Sequence, residues 1–446
     1  MPHRLPRRKS PSADKLTLFD AIGMAVGGMV GGGIFAVLGE AVHYSSNAAF
    51  IGFGLAGLLA MLTANTYARL TTRFDAPGGS YVFIGKLAGN SVGGTVSWFV
   101  ILGYVFTLSL YSHTFGVYAA QLFGLGGNAA GWLGAGVVVI LAAINLVGVR
   151  ASGSTEDAFV YTKLAINMIA GGAGLSVLTR AQALPVFEHP PLGMIATAGL
   201  IFVAYEGFEL LAYDYDTIED RKRNLGRALY ISVGLVTVLY MFVAFVTTGA
   251  LADDAITAYS ETVLAYVAQP RLGAAGLIMV QIAALLSTAS AVNATIFAQA
   301  RLARDIARDH QVPAVFFRWM SGGVSVPFVI AIAALVSLVQ YMATLNQITV
   351  FASLVFLLVF ASVNFAGVVE RSYSGVGRIL PLLGCLGCLG AAGVLIRNTA
   401  AKDPLDLFVI GAIAVGLLLV RLVYLLVVPA AQLGPDPETH LEENET

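Results

Sequence analysis

Gly27-Gly28-Met29-Val30-Gly31-Gly32-Gly33-Ile34-Phe35 lies inside the first long apolar stretch of this 446-residue chain. A glycine within a helix costs roughly 1 kcal/mol relative to alanine, so five in seven residues tend to unwind it locally. Glycines that serve a close helix crossing share one face, whereas Gly31, Gly32 and Gly33 are consecutive and point in three directions. The stretch therefore reads as a helix that starts, breaks and restarts.

A second interruption has the same character. Phe202-Val-Ala-Tyr205-Glu206-Gly207-Phe208-Glu209 places two acids and a glycine within an otherwise apolar segment, followed by Asp214, Asp216, Glu219 and Asp220. An acid at membrane depth is expensive and faces the bundle interior or a wet cavity. Glu206 has two readings from the residues alone: a structural acid hydrogen-bonded between helices, or a group that touches substrate. An unwound helix exposes backbone N–H groups on one side of the break and C=O groups on the other. The N–H end, backed by the helix dipole, suits a carboxylate, and the C=O end suits an ammonium.

Outward from these two breaks, the composition fixes the solvent. The chain is 57% hydrophobic and 11% charged, with a mean hydropathy of +0.80, where an ordinary soluble domain carries roughly 25% charged residues. Apolar blocks at 131–147, 227–250, 323–342 and 405–428 approach or exceed the roughly 20 residues that cross about 30 Å of hydrocarbon. Lipid offers backbone polar groups no partner, so such blocks are bundled helices, and the alternating segments of about 10 residues that mark a barrel are missing. The expectation is an all-α polytopic membrane protein with about twelve spans, near 17–44, 47–73, 91–123, 131–150, 155–180, 192–215, 225–250, 272–303, 323–342, 347–369, 376–396 and 405–428. With the N-terminus inside, nineteen lysines and arginines fall on the cytoplasmic side and four (Arg180, Arg271, Arg397 and Lys402) outside. That bias fits the positive-inside rule and puts both termini in the cytoplasm of a multi-pass cell-membrane protein.

Net charge is −1, which suggests no nucleic-acid partner, and the basic run Arg4-Leu-Pro-Arg-Arg-Lys9 precedes a span as a topology signal. No A-x-A site follows a short apolar region, so the first span is expected to stay in the mature protein. The segment after about Gln432 is polar and acidic, a disordered composition, and Asp253 to Gln269 reads as a short amphipathic helix between spans. Cys385 and Cys388 are the only cysteines; with no second pair or histidine cluster they read as packing, not as a zinc site. No cofactor motif is present.

Breaks in the first and sixth spans occupy corresponding positions if two halves of five spans run with opposite topology, and such a pair points to the binding site of an inverted-repeat transporter. At this point several segments together resemble the amino acid–polyamine–organocation family of permeases, over roughly residues 17 to 370. They are Val30-Gly-Gly-Gly-Ile-Phe35, Tyr67-Ala-Arg-Leu with Phe74-Asp-Ala-Pro-Gly-Gly-Ser-Tyr-Val-Phe83, Asn145-Leu-Val-Gly-Val-Arg150, Ala204-Tyr-Glu-Gly-Phe-Glu209, Ser287-Thr-Ala-Ser290 and Arg301-Leu-Ala-Arg-Asp-Ile-Ala-Arg-Asp309. The resemblance implies a LeuT-type five-plus-five inverted repeat with two further helices. The division is then a basic N-terminus at 1–16, a first repeat at 17–180, a second at 181–370, two C-terminal spans at 371–430 and an acidic tail at 431–446. It also implies a substrate between spans one, three, six and eight. The amino-acid carboxylate would rest on Gly31, Gly32 and Gly33, flanked by Val30 and Ile34. The ammonium would meet carbonyls from Phe202 through Ala204 to Tyr205, beside Glu206 and Gly207.

Lys163 falls one to two turns into span five. By composition it is a snorkelling lysine. By the resemblance, its ammonium takes the place of a sodium ion between spans one, five and eight, facing carbonyls from Ala25 to Gly28 and the hydroxyls of Ser287 and Thr288. Those hydroxyls read equally well as packing groups bonded to their own helix. Tyr104, Tyr111, Trp98 and His113 of span three are candidates to line the site or to form core. The function expected is proton-coupled symport of an amino acid by alternating access. An exchanger, a polyamine or cationic amino-acid carrier relying on Glu206, and a non-transporting receptor are the alternatives. No G-x-S-x-G, His/Glu metal motif or filter loop supports an enzyme or a channel. The substrate's identity and the oligomeric state are not written in the sequence.

Overall fold

The computed structural model describes residues 15–126, 128–147, 153–187, 191–313, 316, 319–321, 324–370 and 376–427. The expectations for the basic N-terminus before residue 15, for Gly148 to Arg150 and for the acidic tail lie outside the described residues. The chain opens with α1 (Leu18–Met29), which breaks and restarts as α2 (Gly33–Ser45), followed by α3 (Ala49–Phe74), α4 (Gly79–Ala88), α5 (Asn90–Leu122), α6 (Ala129–Val147) and α7 (Gly153–Leu175). After the short α8 (Arg180–Ala183), α9 (Pro191–Leu200) narrows into a 3₁₀ turn at Ile201–Tyr205 and resumes as α10 (Leu210–Tyr213). Then come α11 (Arg221–Ala250), the small α12 (Asp253–Ala258) and α13 (Val263–Val267), and α14 (Gln269–Arg308). The chain closes with α15 (Val326–Met342), α16 (Leu345–Val369), α17 (Val376–Lys402) and α18 (Pro404–Val427).

Among the described residues, nine helices are long and apolar enough to cross a membrane. The α1 and α15 helices are apolar but shorter. Among the described residues, helix is found within each of the twelve expected segments, and the first and sixth are each in two pieces. Among the described residues, the departures from all-helical structure are a two-residue antiparallel pair, Met320–Ser321 with Val324–Ser325, and an isolated parallel bridge between Leu16 and Ile218. The connection between α11 and α14, expected as one amphipathic helix, is two short helices joined by a 3₁₀ turn at Ser260–Thr262. It packs on α2 so closely that a Cβ on Gly39 would lie 2.1 Å from the Ser260 carbonyl oxygen. Both cysteines are buried in α17.

The start of α1 is set by a capping box in which Thr17 and Asp20 satisfy each other's backbone amides. Just before it, Leu16 exchanges backbone hydrogen bonds with Thr217 and Glu219, after α10. The two interrupted segments are thus tied at one end as well as at their breaks. At the breaks the backbones touch: a Cβ on Gly207 would lie 2.7 Å from the Gly28 carbonyl carbon, and one on Gly33 2.8 Å from Ala204 Cα. Gly207 also has φ +113°, a conformation other residues reach only with strain. The α9 segment is almost wholly buried and α18 almost wholly exposed, so the broken segments form the centre and the last helix the rim.

Gly207→Ala is expected to cost about 1–3 kcal/mol of strain, visible as a lower unfolding midpoint in detergent. Gly393→Ala in α17, where a Cβ meets nothing within 4 Å, should lower it not at all. Equal midpoints for the two variants would contradict the tight crossing.

Candidate functional site

Between Met29 and Gly33 the first broken span has no helical ladder, and the polar groups around its break are shared among three other elements. Lys163 of α7 donates from Nζ to the Gly27 carbonyl at 2.9 Å. Ser287 of α14 donates to the carbonyls of Val30 at 2.8 Å and Gly31 at 2.7 Å. Tyr240 of α11 donates to Met29 O at 2.7 Å and lies 3.2 Å from Ala204 O, bridging the two breaks. On the other side of the gap, Ser353 of α16 accepts from the Val203 amide at 3.1 Å and donates to the Leu200 carbonyl.

The amides behave differently from the carbonyls. Among the described residues, the N–H groups of Gly31, Gly32 and Gly33 donate to no backbone or side-chain acceptor. They head α2, where the first turn of a helix leaves its N–H groups open to an anion. The surrounding walls leave no room for side chains. A Cβ on Gly31 would lie 2.6 Å from Ala291 Cβ, and one on Gly32 would lie 2.4 Å from the Tyr111 ring and 3.0 Å from Thr288 Cγ2. The glycines are thus required twice, for the break and for the approach of α5 and α14.

The structure brings most of the anticipated residues into one place. Val30 and Ile34 flank the amides and are buried; Phe202, Ala204 and Tyr205 are buried across the gap, and Gly28 meets Gly207. Ala25 is buried one turn before the break. Lys163 is only 2% exposed, so it reaches inwards and does not snorkel. The two hydroxyls part company: Ser287 joins the break, whereas Thr288 bonds back to Ala284 and Leu285 in its own helix. Of the span-three candidates, Tyr104 and Tyr111 reach the breaks, while Trp98 donates to the Gln311 carbonyl and His113 pairs with Glu261, each away from it. Asp214 is taken by Arg301 at 2.6 Å and Asp216 by Arg221, which leaves Glu206 and Glu209 as the acids of the gap.

Tyr240 and Ser353 were not anticipated, because each sits in an ordinary apolar helix and carries no local signal. Polar side chains in an otherwise apolar span are the only hint the sequence offers. Other matched segments also meet in space: Tyr81 of α4 hydrogen-bonds Asp309 beyond α14, and Asn145 of α6 donates to Asn293 of α14 at 2.7 Å.

Two broken, apolar spans facing each other across buried backbone groups define a multi-pass membrane transport protein. Residues 16–396 match the amino acid permease family, and the chain belongs to that family. It is 31% identical over 352 residues to an uncharacterised protein of Methanocaldococcus jannaschii, covering 78% of this chain and 80% of that one. It is 29% identical over 303 residues to the inner membrane transport protein YbaT of Escherichia coli, covering 67% and 70%. Its fold is shared with the crystal structure of a manganese transporter of Eremococcus coleocola, with a TM-score of 0.61, 13% identity and coverage of 92% and 93%.

Tyr240→Phe removes the donor that bridges Met29 and Ala204. Stranding two buried carbonyls should cost about 1–3 kcal/mol, lowering the unfolding midpoint, while Tyr341→Phe at an exposed site of α15 leaves it unchanged. An unshifted Tyr240→Phe would show that the bridge contributes nothing.

Proposed function

We propose that the protein is a secondary active transporter that carries an amino acid across the cell membrane by alternating access, in symport with a proton. The observation that carries this reading is the set of unbonded amides at Gly31, Gly32 and Gly33 at the buried junction of two broken spans. These amides receive the substrate carboxylate, with Val30 and Ile34 beside it. Carbonyls between Phe202 and Tyr205 receive the α-ammonium near Glu206 and Gly207. No charged side chain is needed to hold the zwitterion's backbone.

Coupling is assigned to Lys163. Its ammonium on Gly27 O and the Ser287 hydroxyl on Val30 O and Gly31 O occupy the carbonyls that an alkali cation would otherwise attract. This supports a proton as the coupling ion, with Ala25, Gly28, Ser287 and Thr288 as the surroundings of the cation-equivalent position. In this reading Lys163 carries the coupling proton. Its protonated form fastens α7 to the first-span break and stabilises one access state; deprotonation releases that contact and favours the other. The architecture that accompanies this mechanism is twelve spans, two inverted repeats of five at 17–180 and 181–370, and both termini in the cytoplasm, as the basic-residue bias requires.

Uptake of a radiolabelled amino-acid panel into proteoliposomes, with and without an inward proton gradient, tests the proposal. Wild-type uptake should rise with the gradient, and Lys163→Gln should lose that dependence while keeping substrate binding. Uptake that ignores the gradient but requires internal amino acid would replace symport with exchange, and binding without uptake would make the protein a receptor.

A further inference from the structure

Where α3 ends and α11 begins, a cavity of about 390 Å³ lies between the two helices. Its lining is short: Ala68, Arg69, Thr72 and Arg73 from the last turns of α3, and Lys222 and Gly226 from the first turns of α11. Gly226 and Ala68 form the floor, close enough that a Cβ on Gly226 would lie 3.7 Å from the Ala68 Cβ. Three of the lining residues are cations and none is an acid. One turn deeper the seam is closed by Tyr230, whose hydroxyl donates to Asn65 Oδ1 at 2.9 Å. Beyond it, α3 and α11 expose Leu58, Ile231, Leu235 and Val238.

The cations have counter-charges, but loose ones. Arg73 lies 3.8 Å from Glu370 and Lys222 lies 3.5 Å from Asp75, with the two basic side chains 56% and 63% exposed. Exposed pairs of that kind contribute about 0–1 kcal/mol, less than a phosphate gains from several charge-assisted hydrogen bonds at once. Asp75 keeps Arg221 at 3.2 Å and the Tyr215 hydroxyl at 3.1 Å when Lys222 turns away. Arg69 donates to the Gly377 carbonyl at 2.6 Å, which holds its guanidinium in place, and the planar fork of a guanidinium matches phosphate oxygens. A neighbouring cavity of about 690 Å³, between α4, α5 and α16, shares Arg73 but has Glu370 at its edge and an otherwise largely apolar lining, the wrong chemistry for an anion.

We propose that the cavity between α3 and α11 seats the phosphate of an anionic membrane lipid, held by Arg69, Arg73 and Lys222, with its acyl chains lying over Leu58 and Val238. The bound lipid bridges the two helices. The proposal goes beyond the transport reading and requires only that the chain lies in a bilayer. Position chooses the occupant. A free phosphate would meet the same cations, but the cavity sits at the ends of two helices long and apolar enough to cross a membrane, where headgroups are concentrated and basic side chains attract anionic lipid. The exposed apolar surface beyond Tyr230 has a use for a lipid and none for a free ion. A choline headgroup brings a cation of its own into the basic collar and loses the advantage.

The test is native mass spectrometry of the purified full-length protein in detergent, titrated with dioleoyl phosphatidylglycerol or dioleoyl phosphatidylcholine. Wild type is compared with Lys222→Gln, with Arg69→Gln, Arg73→Gln and Lys222→Gln combined, and with Arg271→Gln at an exposed position outside the cavity. Wild type should bind phosphatidylglycerol at least about 10-fold more tightly than phosphatidylcholine. At roughly fivefold for each cation beside the headgroup, Lys222→Gln should lose about fivefold and the combined variant at least about 30-fold. Arg271→Gln should bind as wild type does, and phosphatidylcholine binding should be the same in every variant. Lys222→Gln changes a mostly exposed side chain, so it decides the matter if the combined variant does not fold. Equal affinity of wild type for the two lipids, or a Lys222→Gln variant that binds phosphatidylglycerol as tightly as wild type, overturns the proposal. Inorganic phosphate at the lipid's concentration should leave the lipid bound; displacement would make this a site for free phosphate and end the lipid assignment.

Discussion

The contact of Gly28 with Gly207 is the constraint around which the other elements are arranged. Two helices that both stop in mid-membrane would each leave a set of unsatisfied backbone groups in a medium without water, at a cost of several kcal/mol per group. Bringing the two breaks face to face lets neighbouring elements satisfy both at once, and only residues without a Cβ allow backbones to approach this closely. Tyr240 then bonds across the junction, while Ser287, Lys163 and Ser353 complete individual carbonyls and amides. The donors come from α11, α14, α7 and α16, so four helices are positioned by the needs of the two broken ones.

A consequence is that the carbonyls near the break are mostly occupied while the amides of Gly31, Gly32 and Gly33 are not. This asymmetry gives the centre of the molecule its chemistry, because an unoccupied row of N–H groups at a helix N-terminus is a binding surface for an anion. It also separates two acids that look alike in sequence. Glu209 is consumed in holding the turn after Gly207, whereas Glu206 is left facing Thr107. The same packing explains why Lys163 can lie inside the bundle: Gly27 presents its carbonyl where the ladder is about to fail, and the ammonium completes it.

Away from the centre, the interactions are of a more ordinary kind. Asp214 with Arg301 and Asp216 with Arg221 tie α10 and its exit to α14 and α11 at the end of the bundle. Leu16 pairs with the chain after α10. These contacts join the two interrupted segments at that end through backbone as well as side chains.

What the sequence determined by itself is what local composition can encode: the membrane as solvent, the positions of the helical segments, and the two places where helices must fail. Glycine runs and intramembrane acids have a direct local cost, so Gly31 to Gly33 and Glu206 to Glu209 were legible without a structure, as was an inward role for Lys163 once the family likeness was recognised. The tertiary structure decided which groups complete which. Nothing local distinguishes Ser287, which bonds the break, from Thr288, which bonds its own helix, because the difference is a rotation of about 100° per residue around a helix axis. Tyr240 and Ser353 were invisible for the same reason, since their partners are remote in sequence. The division of labour between Glu206 and Glu209 likewise depends on where α5 passes, a fact carried by packing and by no motif.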